Sequence, residues 1–186
     1  MVDHSRQGIP PNFFGAECRK IKNLNSENFK ILRDWATDPK SFILFAGKTG
    51  RGKTYAAIAT MYFFQYVKNI PWHEQKFIEM SDLNQIWMAN FASSEIGSNF
   101  SLLEKLKHCK VLILDDIGVK KPTESFLDFI YCLINHRCND DSLITIFTTN
   151  CTSEELNKDF GPRITSRISQ GKIAKFEGPD LRMNKF

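Results

Sequence analysis

The sequence contains no apolar run of about 18 residues, the length that a membrane-spanning helix requires. Its first residues are too polar for the apolar core of a secretory signal. Its five cysteines are odd in number and form no C-x-x-C pair, which argues against a disulfide framework or a zinc site; they are Cys18, Cys109, Cys132, Cys138 and Cys151. We therefore expect a cytoplasmic protein without a membrane segment.

Internal repeats and low-complexity segments are also lacking. A length of 186 residues, with 25% charged and 42% hydrophobic side chains, suits a single globular domain. The proline and glycine near the start predict an extended lead-in over residues 1–15 and a domain over residues 16–186. The net charge of +4 permits contact with nucleic acid without requiring it.

Short apolar runs alternate with segments of helical periodicity. The predicted strands cover residues 42–46, 77–80, 111–114, 143–148 and 172–176. Ser26 is predicted to cap the first helix, and a second helix follows the first strand to about residue 68. A third helix opens at Ser81 and Asp82, a polar loop covers residues 93–101, and a short helix runs through Leu106. Further helices are predicted for residues 124–138, 153–159 and 162–169. This order predicts an α/β fold whose parallel sheet is covered by helices on both faces.

The first predicted strand is followed by a glycine loop that fits G-x-x-x-x-G-K-[ST]. Glycines let successive backbone N–H groups turn toward an anion, and the next helix adds the positive end of its dipole. Lys53 is expected to reach the β- and γ-phosphates and Thr54 to bind Mg²⁺. The expected nucleotide contacts are Gly47, Lys48, Thr49, Gly50, Arg51, Gly52, Lys53, Thr54 and Tyr55.

Two further predicted strands end in polar side chains. The strand Val111–Leu114 leads into Asp115 and Asp116. Asp115 is suited to bind Mg²⁺ through its water shell. Asp116 is suited to orient or deprotonate the attacking water. Asn150 follows the next strand, where ligands of open α/β sheets gather, and it is placed to contact the γ-phosphate or the water. An asparagine that only starts a turn remains the alternative for Asn150.

Three arginines lie near the end of the sequence. Arg163 and Arg167 are one helical turn apart, and a guanidinium from a neighbouring subunit can stabilise the charge that develops in phosphoryl transfer. A basic helix face in solvent is the alternative for this pair. Arg182, in Gly178-Pro-Asp-Leu-Arg, is a further candidate for contact with the γ-phosphate.

These motifs, in this order, resemble those of the AAA+ ATPases of the bacterial DnaC/DnaI helicase-loader group and of their IstB-type transposition relatives. The resemblance runs from about Ile9 to Arg182. It implies an AAA+ P-loop domain that uses ATP and Mg²⁺, with Asn150 as sensor 1 and Arg182 as sensor 2. It also implies that Arg167 is an arginine finger, with Arg163 beside it, that acts across subunits of an oligomer.

The resemblance further implies binding of single-stranded DNA by the helix around residues 82–91. Phe91 and Phe126 fall near aromatic positions implicated in that contact, where bases would stack on the rings. The apolar helical stripe that includes Phe91 leaves a place in the core as the alternative.

The client protein stays open at this point. A loader of a replicative helicase is the leading hypothesis, although such loaders carry an N-terminal helicase-binding domain and few residues precede Ile9 here. An IstB-like regulator of a transposase or another DNA-processing complex is the second hypothesis. The arginine cluster fits a metabolic kinase less well, and the absence of Asn-Lys-x-Asp disfavours a GTPase. Since the sequence ends shortly after Arg182, we expect no C-terminal lid domain.

Overall fold

A five-stranded parallel sheet organises the computed structural model, which describes residues 7–40, 42–92, 98–118 and 121–183. The strand order is β2-β3-β4-β1-β5, so β2 and β5 are the two edges. All four strand pairs are parallel. The strands are β1 (Phe42–Ala46), β2 (Gln75–Glu79), β3 (Val111–Ile117), β4 (Ile144–Thr149) and β5 (Lys172–Lys175).

Helices cover both faces of this sheet, and each face has its own hydrophobic cluster. One cluster joins α1 and α2 to the sheet, and the other joins α3, α4, α5 and α6 to it. The predicted α/β class is therefore confirmed. The helices are α1 (Ser26–Thr37), α2 (Lys53–Tyr66), α3 (Met80–Ala92), α4 (Ser98–His108), α5 (Glu124–Cys138) and α6 (Ser153–Ser169).

Several predicted boundaries differ from the structure. The cap of α1 is Asn25, whose side chain accepts the Asn28 N–H, whereas Ser26 is the first helical residue. Residues 98–101, predicted as loop, belong to α4, and residues 93–97 lie outside the described part of the chain.

Among the described residues, no helix is long and apolar enough to cross a membrane.

The two helices predicted for residues 153–169 form one kinked element, α6. Gly161 has φ 76° and ψ 165°, and Pro162 follows it. Positive φ is accessible to glycine at little cost, and proline is well accommodated in the first turn of the second half. The kink turns the residues after it, including Arg163 and Arg167, away from the axis of the first half.

The segment before α1 lies against α2. Gly15 N–H donates to the Tyr62 hydroxyl at 2.9 Å, and Glu17 N–H donates to the Tyr55 hydroxyl at 3.1 Å. Ile9 is buried in the same cluster as α2. The division of the chain at residue 15 stays a prediction.

Arg137 of α5 is buried near the amino ends of β3 and β4, with 1% of its surface exposed. Its guanidinium donates to the carbonyl oxygens of Leu106, Lys107, Cys109 and Ile144 and to the Thr145 hydroxyl, at distances of 2.7–3.1 Å. These bonds fasten the end of α4 and the turn before β3 to the start of β4. The buried charge is compensated by hydrogen bonds from all three guanidinium nitrogens.

Candidate nucleotide site

The glycine loop connects β1 to α2 at the carboxyl end of the sheet. Gly47 N–H donates to Thr149 O of β4 at 3.2 Å, which anchors the start of the loop. Gly50 and Gly52 have φ of 75° and 92°, a conformation that other residues adopt only under strain. Helix α2 then begins at Lys53, as a loop that presents backbone N–H groups to phosphates requires.

Lys53 is held across the site. Its Nζ donates to Lys48 O at 3.0 Å and to Asn150 Oδ1 at 2.6 Å. Burial lowers the pKa of Lys53, the nearby charges of Asp116 and Asp115 oppose this effect, and the charges of Arg182 and Arg51 add to it. The ammonium group of Lys53 therefore lies near two carboxylates and the glycine loop. A bound phosphate would give it further hydrogen-bond acceptors.

Thr54 and Asp115 meet at the start of α2. The Thr54 hydroxyl lies 3.1 and 3.0 Å from the two Asp115 carboxylate oxygens, and the Thr148 hydroxyl donates to Oδ1 at 2.7 Å. Burial raises the pKa of Asp115 to about 6, although both hydroxyls act in the opposite direction. A buried carboxylate beside a hydroxyl, with only neutral donors, fits Mg²⁺, which needs few protein ligands when phosphates and water complete its shell.

Asp116 lies at an irregularity where the pairing of β3 with β4 shifts between Leu114 and Ile117. Its φ is 59°, and its N–H donates to the Thr148 hydroxyl at 2.9 Å. Burial raises the pKa of its carboxyl group, and the charges of Lys53 and Arg182 oppose this. The left-handed backbone lets two successive carboxylates serve one site.

Asn150 joins Asp116 to Lys53, because its Nδ2 donates to Asp116 Oδ1 while its Oδ1 accepts from Lys53. A cavity of about 20 Å³, lined in part by Ser81, Asn84 and Asp116, opens beside this network. That volume is enough for one water molecule. The arrangement can hold a proton acceptor and a water close together.

Thr148 is a site residue that the sequence analysis missed. Its hydroxyl donates to the Asp115 carboxylate and accepts the Asp116 backbone N–H, so it positions the first carboxylate and the main chain that carries the second. In the sequence it is one of three threonines in β4, where β-branched residues are common. Its place directly before Thr149-Asn150, at the end of that strand, was the available signal.

Arg182 lies in a segment that follows β5 and contacts the glycine loop. Leu181 N–H donates to Gly50 O at 2.9 Å. The side chain of Arg182 is exposed, and its charge acts on both Lys53 and Asp116. The structure thus brings Arg182 close to the predicted nucleotide site, although the two are far apart in the sequence.

Arg163 and Arg167 follow the kink of α6. Arg163 is exposed and Arg167 is half-buried. Within the described part of the chain, neither guanidinium forms an ion pair or hydrogen bond with the network of Lys53, Asp116 and Asn150. Their predicted role in a neighbouring subunit's site stays a prediction.

The structure argues against base stacking by Phe126. Its side chain is 2% exposed and contacts the rings of Trp87 and Phe129 in the core, with centroids 6.4 and 5.9 Å away. Phe91 lies in α3, but its side chain is outside the described part of the structure. Phe100 of α4, which the sequence analysis did not select, is 67% exposed.

The strand order, the loop after β1 and the carboxylates of β3 define a P-loop NTPase of the AAA+ class. The family model for IstB-like ATP binding proteins matches residues 12–168. The chain belongs to this family. No curated protein matches the chain by sequence.

Solved structures with a similar fold include a DnaC helicase loader, with 20% identity and a TM-score of 0.75 over 90% of this chain and 100% of that one. A DnaI structure has 18% identity and a TM-score of 0.71, over 91% and 95% of the two chains. The replication initiator DnaA, bound to AMPPCP and single-stranded DNA, has 16% identity and a TM-score of 0.74 over 93% of this chain and 52% of its own. At these identities the likeness concerns the fold.

Proposed function

We propose that this protein is a Mg²⁺-dependent ATPase that binds single-stranded DNA and acts on a DNA-processing partner. The observation that carries the proposal is a hydrogen-bonded network at the glycine loop, in which Thr148 joins two groups of side chains. One group is Lys53, Asn150 and Asp116, and the other is Thr54 and Asp115. Each of these side chains suits a step of phosphoryl transfer to water.

In this proposal, the loop N–H groups and Lys53 bind the phosphates of ATP. Thr54 and Asp115 would hold Mg²⁺, whose positive charge would offset the negative charge of the phosphate oxygens. Asp116 accepts a proton from the attacking water, and the carboxamide of Asn150 orients Asp116 and contacts the γ-phosphate. Since Asn150 already binds Lys53 and Asp116, phosphate entry would exchange one partner of the lysine rather than build the network anew.

Arg167, with Arg163 beside it, completes the site of a neighbouring subunit. ATP turnover per subunit should then rise with protein concentration, and Arg167→Ala should abolish turnover while it spares ATP binding. Arg33→Ala is the matched control, because Arg33 is an exposed arginine on α1. A mixture of Lys53→Ala and Arg167→Ala proteins should regain activity, since one lacks the binding lysine and the other the finger. Unchanged turnover in Arg167→Ala alone would exclude the assignment.

Single-stranded DNA is proposed to bind beside α3 and α4. Ile86, Met88 and Phe100 are exposed there, at 41%, 57% and 67%. Stacking on one aromatic ring contributes about 1–3 kcal/mol per base, so Phe100→Ala should weaken binding of an oligonucleotide at least about fivefold. Fluorescence anisotropy measures this, and Phe29→Ala, at an exposed aromatic on α1, controls for general loss of surface rings.

The leading client is a replicative helicase, which the ATPase would load or remodel during DNA replication. The family match favours a second candidate, an IstB-like regulator of a transposase or a similar complex. A pull-down from the source organism with ATP bound discriminates between them. Retention of the helicase supports the first candidate; retention of a transposase without the helicase supports the second.

A further inference from the structure

The segment from Phe176 to Arg182 runs along the glycine loop from its first residue to its last glycine. Phe176 N–H donates to Ala46 O at 2.7 Å, and Leu181 N–H donates to Gly50 O at 2.9 Å. A Cβ at Gly52 would lie 3.3 Å from Leu181 Cδ1. The path of this segment is therefore set by the same loop that would bind the phosphates.

Asn23 holds the segment from the other side. Its Nδ2 donates to Pro179 O at 2.8 Å, and its carbonyl oxygen accepts the Glu177 N–H at 2.9 Å. Asn23 has φ 59°, and its side chain occupies the space that a Cβ at Gly178 would take. The backbone before Arg182 is thus fixed on two sides.

Asp180 is the side chain that joins this backbone to both the loop and the arginine. Its carboxylate fills the space where a side chain at Gly50 would lie, and its Oδ1 accepts the Arg182 N–H at 2.8 Å. The contact with Gly50 fixes the position of the Asp180 carboxylate. The hydrogen bond from Arg182 N–H to this carboxylate then fixes the direction of the main chain at Arg182.

We propose that Asp180 is a positioning residue that aims Arg182 at the terminal phosphate and so lets the protein distinguish ATP from ADP. This inference rests on the proposed nucleotide site. Arg182 supplies the contact, and Asp180 acts through it. Because ADP lacks the γ-phosphate, a misdirected Arg182 costs affinity for ATP and leaves affinity for ADP nearly unchanged.

The test compares the affinities of the full-length protein for ADP and for a non-hydrolysable ATP analogue. Asp180→Ala removes both the charge and the acceptor, whereas Asp180→Asn removes only the charge. Loss of one such hydrogen bond corresponds to a change of about threefold to tenfold in an affinity. The ratio of affinities for the ATP analogue and for ADP should therefore be lower by that factor in the alanine variant than in the asparagine variant. The asparagine variant should match or exceed the wild-type preference.

Asp140→Ala is a matched control, because Asp140 Oδ1 accepts the Ser142 N–H at the same distance of 2.8 Å, far from the loop in sequence. A double variant shows through which residue Asp180 acts. In an Arg182→Ala background, Asp180→Ala should not change the ATP-to-ADP preference further. Thermal unfolding of each variant shows whether it is folded.

Equal losses of affinity for both nucleotides in Asp180→Ala would overturn the inference, because they indicate a role only in the shape of the loop. A further loss of preference in the Arg182→Ala background would also overturn it, since Asp180 would then act independently of Arg182. If the wild-type protein binds neither nucleotide, the proposed function fails instead, so the two failures are distinguishable.

Discussion

The amino and carboxyl ends of the sheet both bury charge, but they satisfy it differently. At the amino end, Arg137 donates to four carbonyl oxygens and a hydroxyl. At the carboxyl end, Asp115 is 3% exposed and its hydrogen-bond partners are the hydroxyls of Thr54 and Thr148.

The difference separates a structural charge from a functional one. A buried guanidinium whose donors are used stabilises the elements around it, whereas a buried carboxylate with two neutral partners costs free energy until a cation arrives. The raised pKa of Asp115 expresses that cost. The hydrogen bonds of the amino end are made within the protein, whereas the carboxyl end would be completed by the cation that we propose it binds.

Arg137→Met should give the largest effect. Loss of five donated hydrogen bonds leaves buried carbonyl groups unpaired, and we expect the free energy of unfolding to fall by about 3–5 kcal/mol. Urea unfolding measures this, with Arg33→Met as the exposed control. Turnover per folded molecule should persist at low temperature. A variant of normal stability without turnover would break the comparison, because the amino end would then have a direct role in the reaction.

Asp116→Asn tests the carboxyl end. Asparagine tolerates the left-handed backbone at this position but cannot accept the proton, so turnover should fall about 100-fold or more while ATP affinity changes little. Steady-state hydrolysis and equilibrium binding give the two values. A large loss of stability in this variant would instead place Asp116 with Arg137 as a structural group.

Asp115→Asn should stabilise the ligand-free protein. Because burial raises the pKa of Asp115 from 3.8 to about 6, the folded state binds more protons than the unfolded state between these values. Its contribution to stability is therefore present below pH about 4 and lost as the pH rises to about 6. At pH 7.5 the variant should be more stable by about 1–3 kcal/mol and should lose Mg²⁺-dependent turnover.

The pH dependence itself provides the control for that variant. Unfolding free energies of the two proteins should converge at acidic pH, where Asp115 is protonated in both folded and unfolded wild-type protein. A constant difference at every pH would show that the gain comes from packing rather than from the removed charge.

Thr145 and Thr148 give the finest comparison, because both are buried in β4 at 1% exposure. Thr145→Val removes one acceptor of Arg137 and should cost about 1 kcal/mol of stability without a change in turnover. Thr148→Val removes the hydroxyl that joins the Asp115 carboxylate to the Asp116 N–H and should lower turnover about tenfold. If both variants affect only stability, Thr148 has no special place in the site.

Much of the fold follows from local pattern. The bounds of β1 and α5 agree with the predicted ranges, because short apolar runs and a capped amphipathic helix are read within one segment. The glycine loop was placed for the same reason. Its motif is contiguous, and it lies between a strand and a helix as its chemistry requires.

The missed features depend on contacts between distant segments. Thr148 approaches Asp115 only because β3 and β4 are neighbours with a shifted register, which no single segment encodes. Arg182 was predicted as a nucleotide contact from its motif, but its approach to Lys53 depends on where the chain goes after β5. Phe126 was a different case, since Phe126, Phe129, Ile130 and Leu133 recur at helical spacing and indicate a core stripe.

The edge strand β5 reads Lys-Ile-Ala-Lys, and it forms the outermost pair of the sheet with β1. An open strand edge can template the addition of further strands and so lead to fibres. The lysines at both ends of β5 are exposed, and their charges oppose such stacking when copies of the chain come together. In the assembly on DNA that we propose, where copies of the chain are concentrated, these charges would protect this edge against aggregation.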